Sequence, residues 1–180
     1  MIENVPINVK LTDGAFAKPS DAVVGKFYTD DDSLETILPS IPIQNLISEE
    51  YLTGTGKNDK WVGFFRKLGV KILDSEASVI EYKIAYLLDN QKEINTPTIT
   101  FSHVHVLTEL YSEKKLSDSH YKKLQGLELL LKYSETNFKV ASDCHLSSEY
   151  NPKLDLDKLL PDDNKPAIFV SEKYDKKGLS

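Results

Sequence analysis

The sequence predicts an α+β fold, mostly helical, in which β-hairpin units flank a central helical bundle. Three observations predict it. Apolar and polar residues alternate around Asp13-Gly14 near the start. Four stretches between Lys60 and Leu131 carry apolar residues at helical spacing. A second hairpin-like stretch follows them. Strands and helices are thus segregated, which argues against a doubly wound parallel sheet.

The elements follow in order. Val5, Ile7, Val9 and Leu11 alternate with polar residues before Asp13-Gly14. That dipeptide is a strong hairpin signal, because a type I′ turn needs positive φ at both central positions. Phe16 and then Ala22-Val23-Val24 lie on the return path, and Pro19 makes that path an edge or a bent strand. Between residues 29 and 45, Asp30-Asp31-Asp32, Pro39 and Pro42 predict a loop. It holds one helical turn around Leu34 to Leu38, with Ser33 as cap. Trp61, Phe64, Phe65 and Leu68 stand at i, i+3, i+4 and i+7, and Gly69 is a natural C′ stop. Ser75 to Gln91 forms a longer helix through Val79, Ile80, Ile84, Leu87 and Leu88. Thr96-Pro97 is a break. Thr98 to Tyr111 suits a buried helix, although its β-branched run also suits a strand. Ser117 caps a last helix that carries Tyr121, Leu124, Leu127, Leu130 and Leu131.

Composition sets the broad class. The chain has 180 residues, 40% hydrophobic and 28% charged, with nine Tyr and seven Phe. That is enough apolar surface for one sizeable core or two small ones. The net charge of −6 argues against nucleic acid as a partner, because phosphate neutralisation needs clustered Lys and Arg. Lys114-Lys115, Lys122-Lys123 and Lys176-Lys177 each sit beside acidic residues and read as solvated faces. Cys144 is the one cysteine, which excludes an intrachain disulfide and fits a reducing, cytoplasmic compartment. The first residues lack a basic stretch followed by an apolar run, and no apolar run spans a membrane.

The chain also resembles itself. Sliding it by 122 residues puts Lys10 on Lys132, Phe16 on Phe138, Ser20-Asp21 on Ser142-Asp143, and Tyr28 on Tyr150. Leu34 meets Leu156 and Leu38-Pro39 meets Leu160-Pro161. After one extra residue, Ser48-Glu49 meets Ser171-Glu172 and Tyr51 meets Tyr174, giving eleven identities over 43 positions. The prediction is two partial copies of a domain-sized repeat. Residues 1–57 form the first hairpin and loop, 58–130 the helical part, and 131–180 the second hairpin and loop. The second copy ends where the first runs on into "KWVGFFRKLGV", so the chain is predicted to be a segment of a longer protein. It also has Glu135-Thr136-Asn137 where the first has Asp-Gly, which implies Asn137 in αL or a longer loop.

The phrases "DGAFAKPSDAVV", "LISEEYL", "WVGFFRKLGV", "ASDCHLSSEYNPKLDLDKLLPDD" and "FVSEKY" occur in this order. They resemble the long downstream regions of large sacsin-like proteins, which carry an ATP-binding domain of the Hsp90-like (GHKL) type. The resemblance implies an ATP-driven parent. It assigns no ATP-site residue here: the chain has neither GxGxxG nor GxxxxGK[ST].

The residues that bear chemistry are His103, His105, His120, Cys144 and His145. On a strand His103 and His105 share a face, and Cys144-His145 would complete a tetrahedral zinc site. On a helix the two histidines diverge by about 200°. The spacing matches no common structural zinc pattern, and partly buried packing is the preferred reading. Cys144 and His145 also make a poor nucleophile and base, because neighbours on an extended chain face opposite ways. Asp30-Asp31-Asp32 and Asp162-Asp163-Asn164 lack the Gly and Glu positions of a calcium loop. Ser-Glu-x-Tyr occurs at Ser48–Tyr51 and again at Ser171–Tyr174. It reads as a turn start with Ser as cap and Tyr as core anchor. Trp61, Phe64 and Phe65 read as core, or as a dock for a neighbouring module.

The expected function is a non-catalytic structural or protein-interaction segment with no cofactor. Its partners are protein modules, neighbouring domains of the same chain among them. A metal-binding or enzymatic module at the His/Cys set, and a standalone acidic adaptor, are the alternatives.

Overall fold

The computed structural model describes residues 7–25, 37–38, 41–51, 59–132, 134, 136–147, 150 and 169–174. The fold is α+β. Val5, the turn around Leu34 with Ser33, Asp30–Asp32 and Asp162–Asn164 lie outside the described residues, while Ile37 and Leu38 form a bend. The chain separates into two compact units, Met1–Lys83 and Ile84–Ser180.

In the first unit β1 (Val9–Lys10) pairs antiparallel with β2 (Phe16–Ala17). The turn between them is wider than type I′. Leu11 N–H donates to the Ala15 carbonyl at 2.8 Å and Gly14 N–H to the Leu11 carbonyl at 3.0 Å. Gly14 has φ +86, whereas Asp13 keeps a negative φ. The reason is local: Ala15 N–H donates to the Asp13 carboxylate at 2.9 Å, and a turn closed by one αL glycine suits that geometry.

The return path predicted through Val24 is also cut short. Pro19 opens a 3₁₀ turn over Pro19–Asp21, because its fixed φ and missing N–H suit a first helical position. That turn redirects β3 (Val23–Val24) away from the hairpin. Leu46 and Ile47 then enter between the strands, Ile47 bridging Leu11 antiparallel and Leu46 bridging Val23 in parallel. On its outer side β3 pairs in parallel with β4 (Lys71–Ile72). The order across this small sheet is therefore Phe16–Ala17, Val9–Leu11, Leu46–Ile47, Val23–Val24, Lys71–Ile72.

Helix α1 (Asp59–Lys67) precedes β4. Its end is a Schellman motif: Val70 N–H reaches the Phe65 carbonyl at 3.0 Å and Gly69 N–H the Arg66 carbonyl at 3.1 Å. Gly69, at φ +88, occupies the αL position. The motif carries its usual apolar contact, because Phe65 and Val70 sit in one cluster with Val9, Leu11, Ala22, Val24 and Ile47.

Helix α2 (Glu76–Ile94) opens with Ser75 and Ser78, whose hydroxyls accept from each other's backbone N–H. In its first half Lys83 is buried, and its ammonium donates to the Ile37 and Leu38 carbonyls.

The second unit holds the end of α2 and α3 (Pro97–Ser112), for which the helix reading prevails over the strand. Thr96 caps it by accepting from Ile99 N–H, and Pro97 takes the first turn, where its missing N–H costs nothing. Helix α4 (Asp118–Leu124) starts at Ser117 in a capping box whose returning partner is the His120 ring. The sequence predicts this helix to reach Leu131, but it stops at Leu124. Leu127-Glu128-Leu129-Leu130-Leu131 is a short stretch, apolar but for Glu128, equally suited to a strand. Here β5 (Glu128–Leu130) pairs antiparallel with β6 (Phe138–Val140). Gln91 of α2 fixes the change of direction. Its amide donates to the Gly126 carbonyl at 3.0 Å and accepts from Glu128 N–H at 2.9 Å.

The loop from β5 to β6 is the longer of the two alternatives, since Asn137 keeps a negative φ. Leu131 N–H donates to the Asn137 carbonyl at 3.0 Å across residues 132–136. Beyond β6, Ala141–Asp143 form a 3₁₀ turn, His145 bridges Phe169 in parallel, and Leu131 bridges Val170 antiparallel. The apolar cluster here is Leu130, Val170 and Tyr174, with Phe101 and Val104 of α3 packed against it. Among the described residues, no helix is long and apolar enough to cross a membrane.

Candidate functional site

The two Ser-Glu-x-Tyr segments end in the same geometry. Ser48 Oγ accepts from Glu50 N–H at 3.3 Å, and Ser171 Oγ from Lys173 N–H at 3.3 Å. Each tyrosine then reaches across to a strand. Lys10 N–H donates to Tyr51 Oη at 2.9 Å, and Leu130 N–H donates to Tyr174 Oη at 2.7 Å. Ser48 N–H pairs with the Lys10 carbonyl at 3.0 Å, and Ser171 N–H with the Leu130 carbonyl at 2.8 Å. The motif is thus spent on clasping a strand.

Burial raises the Tyr174 phenol to about 12, against the opposing effect of the Leu130 hydrogen bond. Tyr150 is also pushed up to about 12, by burial and then by Glu172, and its hydroxyl donates to the Ser171 carbonyl.

The aromatic stripe divides by face. Phe65 is buried, with Trp61 stacked on it at 5.6 Å and 28°. Tyr51 meets the Phe65 ring edge-on at 5.5 Å and 83°. Phe64 points outward at 48% exposure, touching the Trp61 edge at 6.0 Å. Only Phe65 is a full core residue. Trp61 is half-buried, and Phe64 is the member left to contact something else.

The chemistry-bearing set is spread over different elements. His103 is buried on α3, where burial lowers its pKa, while His105 faces outward beside Glu109 at 3.5 Å. The α-helix separates them, as the helical angle requires. His120 is engaged in the α4 capping box, with Ser117 N–H donating to Nδ1 at 3.0 Å. Cys144 Sγ lies 3.3 Å from the Val140 carbonyl, and burial pushes its thiol up. His145 is exposed on the next residue. Among the described residues, no three His, Cys, Asp or Glu side chains stand where they would hold one metal ion.

Two features carry no sequence signal strong enough to find them. Phe101 of α3 meets Tyr174 edge-on at 4.6 Å and 83°, the role Phe65 plays for Tyr51. The outer side of the His145 segment lacks a strand among the described residues, and Leu146 there is 51% exposed. Comparison with family models, curated proteins and solved structures returned no match.

Proposed function

We propose that this chain is a non-catalytic structural and protein-interaction segment of a larger, ATP-binding, sacsin-like protein, built from two partial copies of one sheet module. The observation that carries the reading is the paired tyrosine clasp. The most motif-like residues of the sequence are consumed in holding strands together, at Lys10–Tyr51 and at Leu130–Tyr174.

Further hydrogen bonds support the two-copy reading. Ala22 N–H to Pro19 is matched by Cys144 N–H to Ala141. Ile47 N–H to Val23 is matched by Val170 N–H to His145. Thr12 N–H to Leu46 is matched by Lys132 N–H to Phe169. On this reading, these pairs favour a different start for the alignment, which ran at a shift of 122 up to one extra residue before Ser171. Before the hairpin turn the shift is 120, since Lys10 corresponds to Leu130 and Leu11 to Leu131. The five-residue loop at 132–136 replaces the three residues 12–14 and restores 122 after it. Physically, a loop absorbs extra residues at little cost, whereas a strand register does not.

The chemistry favours a structural role as well. A thiol whose pKa is raised by burial is a poor nucleophile at neutral pH. The test is metal analysis of the purified chain together with the alkylation rate of Cys144. Substoichiometric zinc and alkylation slower than that of an unhindered thiol are expected. Stoichiometric zinc that protects Cys144 would overturn the reading in favour of a metal module.

A further inference from the structure

The first unit shows how its sheet edge is completed. Lys71 N–H donates to the Ala22 carbonyl at 3.1 Å and Leu73 N–H to the Val24 carbonyl at 3.0 Å. With β4 in place, Ala22, Val23 and Val24 are buried to 1% exposure or less. The incoming segment is Val70-Lys71-Ile72-Leu73. Val70 and Leu73 turn inward and Lys71 faces solvent.

The second unit has a similar strand arrangement, with no strand in that place among the described residues. Cys144, His145 and Leu146 follow a 3₁₀ turn as Ala22, Val23 and Val24 do. The inner side of His145 is taken, by the parallel bridge to Phe169 and the hydrogen bond from Val170 N–H at 3.0 Å. On the outer side, no described donor reaches the Cys144 or Leu146 carbonyls. Leu146 lies open and Cys144 is half-buried, where their counterparts are sealed. Ser147, fully buried, has a hydroxyl with no hydrogen-bond partner among the described residues. The helical part of the cover is already supplied differently, because Phe101 of α3 seats on Tyr174 as Phe65 of α1 seats on Tyr51. Among the described residues, the counterpart of β4 is the part with no equivalent.

We infer that the outer edge from Cys144 to Ser147 is a docking edge that takes an extended, apolar protein segment as a parallel strand. This rests on the interaction reading above and names its surface. The occupant has apolar residues around one solvated position, as Val70-Lys71-Ile72-Leu73 has. It donates two backbone N–H groups to the Cys144 and Leu146 carbonyls, and covers Leu146 with an apolar side chain. Main-chain pairing supplies affinity and the alternate side chains supply selectivity, as in other strand-addition complexes.

The experiment is an NMR titration of the full chain with a capped synthetic peptide of residues 68–75, LGVKILDS. A second peptide, N-methylated at the positions of Lys71 and Leu73, serves as control. Expected are saturable shifts at the Cys144 to Ser147 amides, slowed exchange of the Leu146 amide, and binding weaker by about tenfold or more for the methylated peptide, which lacks two hydrogen bonds. The peptide control leaves the protein unaltered, so folding defects do not enter. No shifts at millimolar peptide, shifts confined to Ala22–Val24, or equal binding of both peptides would each overturn the docking edge. None of those results bears on metal content or Cys144 reactivity, so the structural reading is judged separately.

Discussion

Tyr174 shows how one side chain fixes a strand. Its ring is buried against Phe101, and its hydroxyl takes the Leu130 N–H. Tyr174→Phe keeps the ring and strands a buried donor, so a loss of about 1–3 kcal/mol is expected by urea unfolding. Tyr51→Phe is expected to cost less, because the Lys10 N–H is only part-buried. The phenol also gives a pH dependence. Its folded pKa is raised from 10.0 to about 12, so the neutral form is favoured in the fold. That contribution is complete below pH 10 and is lost as pH rises towards 12, by about 1.4 kcal/mol per pH unit. Tyr174→Phe should flatten part of this alkaline slope. His103 acts at the other end. Burial lowers its pKa from 6.5, so its contribution is present above pH 6.5 and is lost as pH falls below it. The wild-type chain should lose stability on acidification through that range, and His103→Gln should lose less.

Helix α1 and its exit show what the sequence makes legible at the scale of elements. The i, i+3, i+4, i+7 stripe and Gly69 give the helix and its end, because periodicity and αL geometry are local properties. Ser117 is legible as a cap for the same reason, whereas Thr96-Pro97 reads as a break and turns out to start α3. The helix forecast through Leu131 fails because four leucines and a glutamate in five residues fit a strand as well as a helix, and Gln91, 37 residues before Glu128, decides the outcome. The Asp13-Gly14 turn is legible in place but not in type, since the Asp13 side chain competes for the Ala15 amide. The exit gives a direct test. A Cβ at position 69 meets nothing within 4 Å, so Gly69→Ala carries backbone strain without a clash. About 1 kcal/mol of destabilisation is expected. Phe65→Ala should cost about 3–5 kcal/mol, and Phe64→Ala far less, in thermal or urea unfolding.

Across the whole molecule, the tyrosine clasp recurs in each of the two units, and the candidate chemistry does not gather in one place among the described residues. The self-similarity was legible because Ser-Glu-x-Tyr and Ser-Asp occur in both stretches. The register was not, because the difference in loop length is visible only once hydrogen bonds are known. The proposed docking edge at Leu146 was likewise hidden, since it emerges only by comparison with the strand that pairs with Val23–Val24. The measurement that tests the paired clasp most directly is amide hydrogen exchange at Lys10 and Leu130, in the wild-type chain and in Tyr51→Phe and Tyr174→Phe. If the two sheets are copies of one clasped module, both amides are protected. Each substitution then lowers protection of its own partner amide, roughly tenfold or more, and spares the other. Unchanged protection in either variant would contradict the common clasp, and with it the central claim that this chain repeats one structural module.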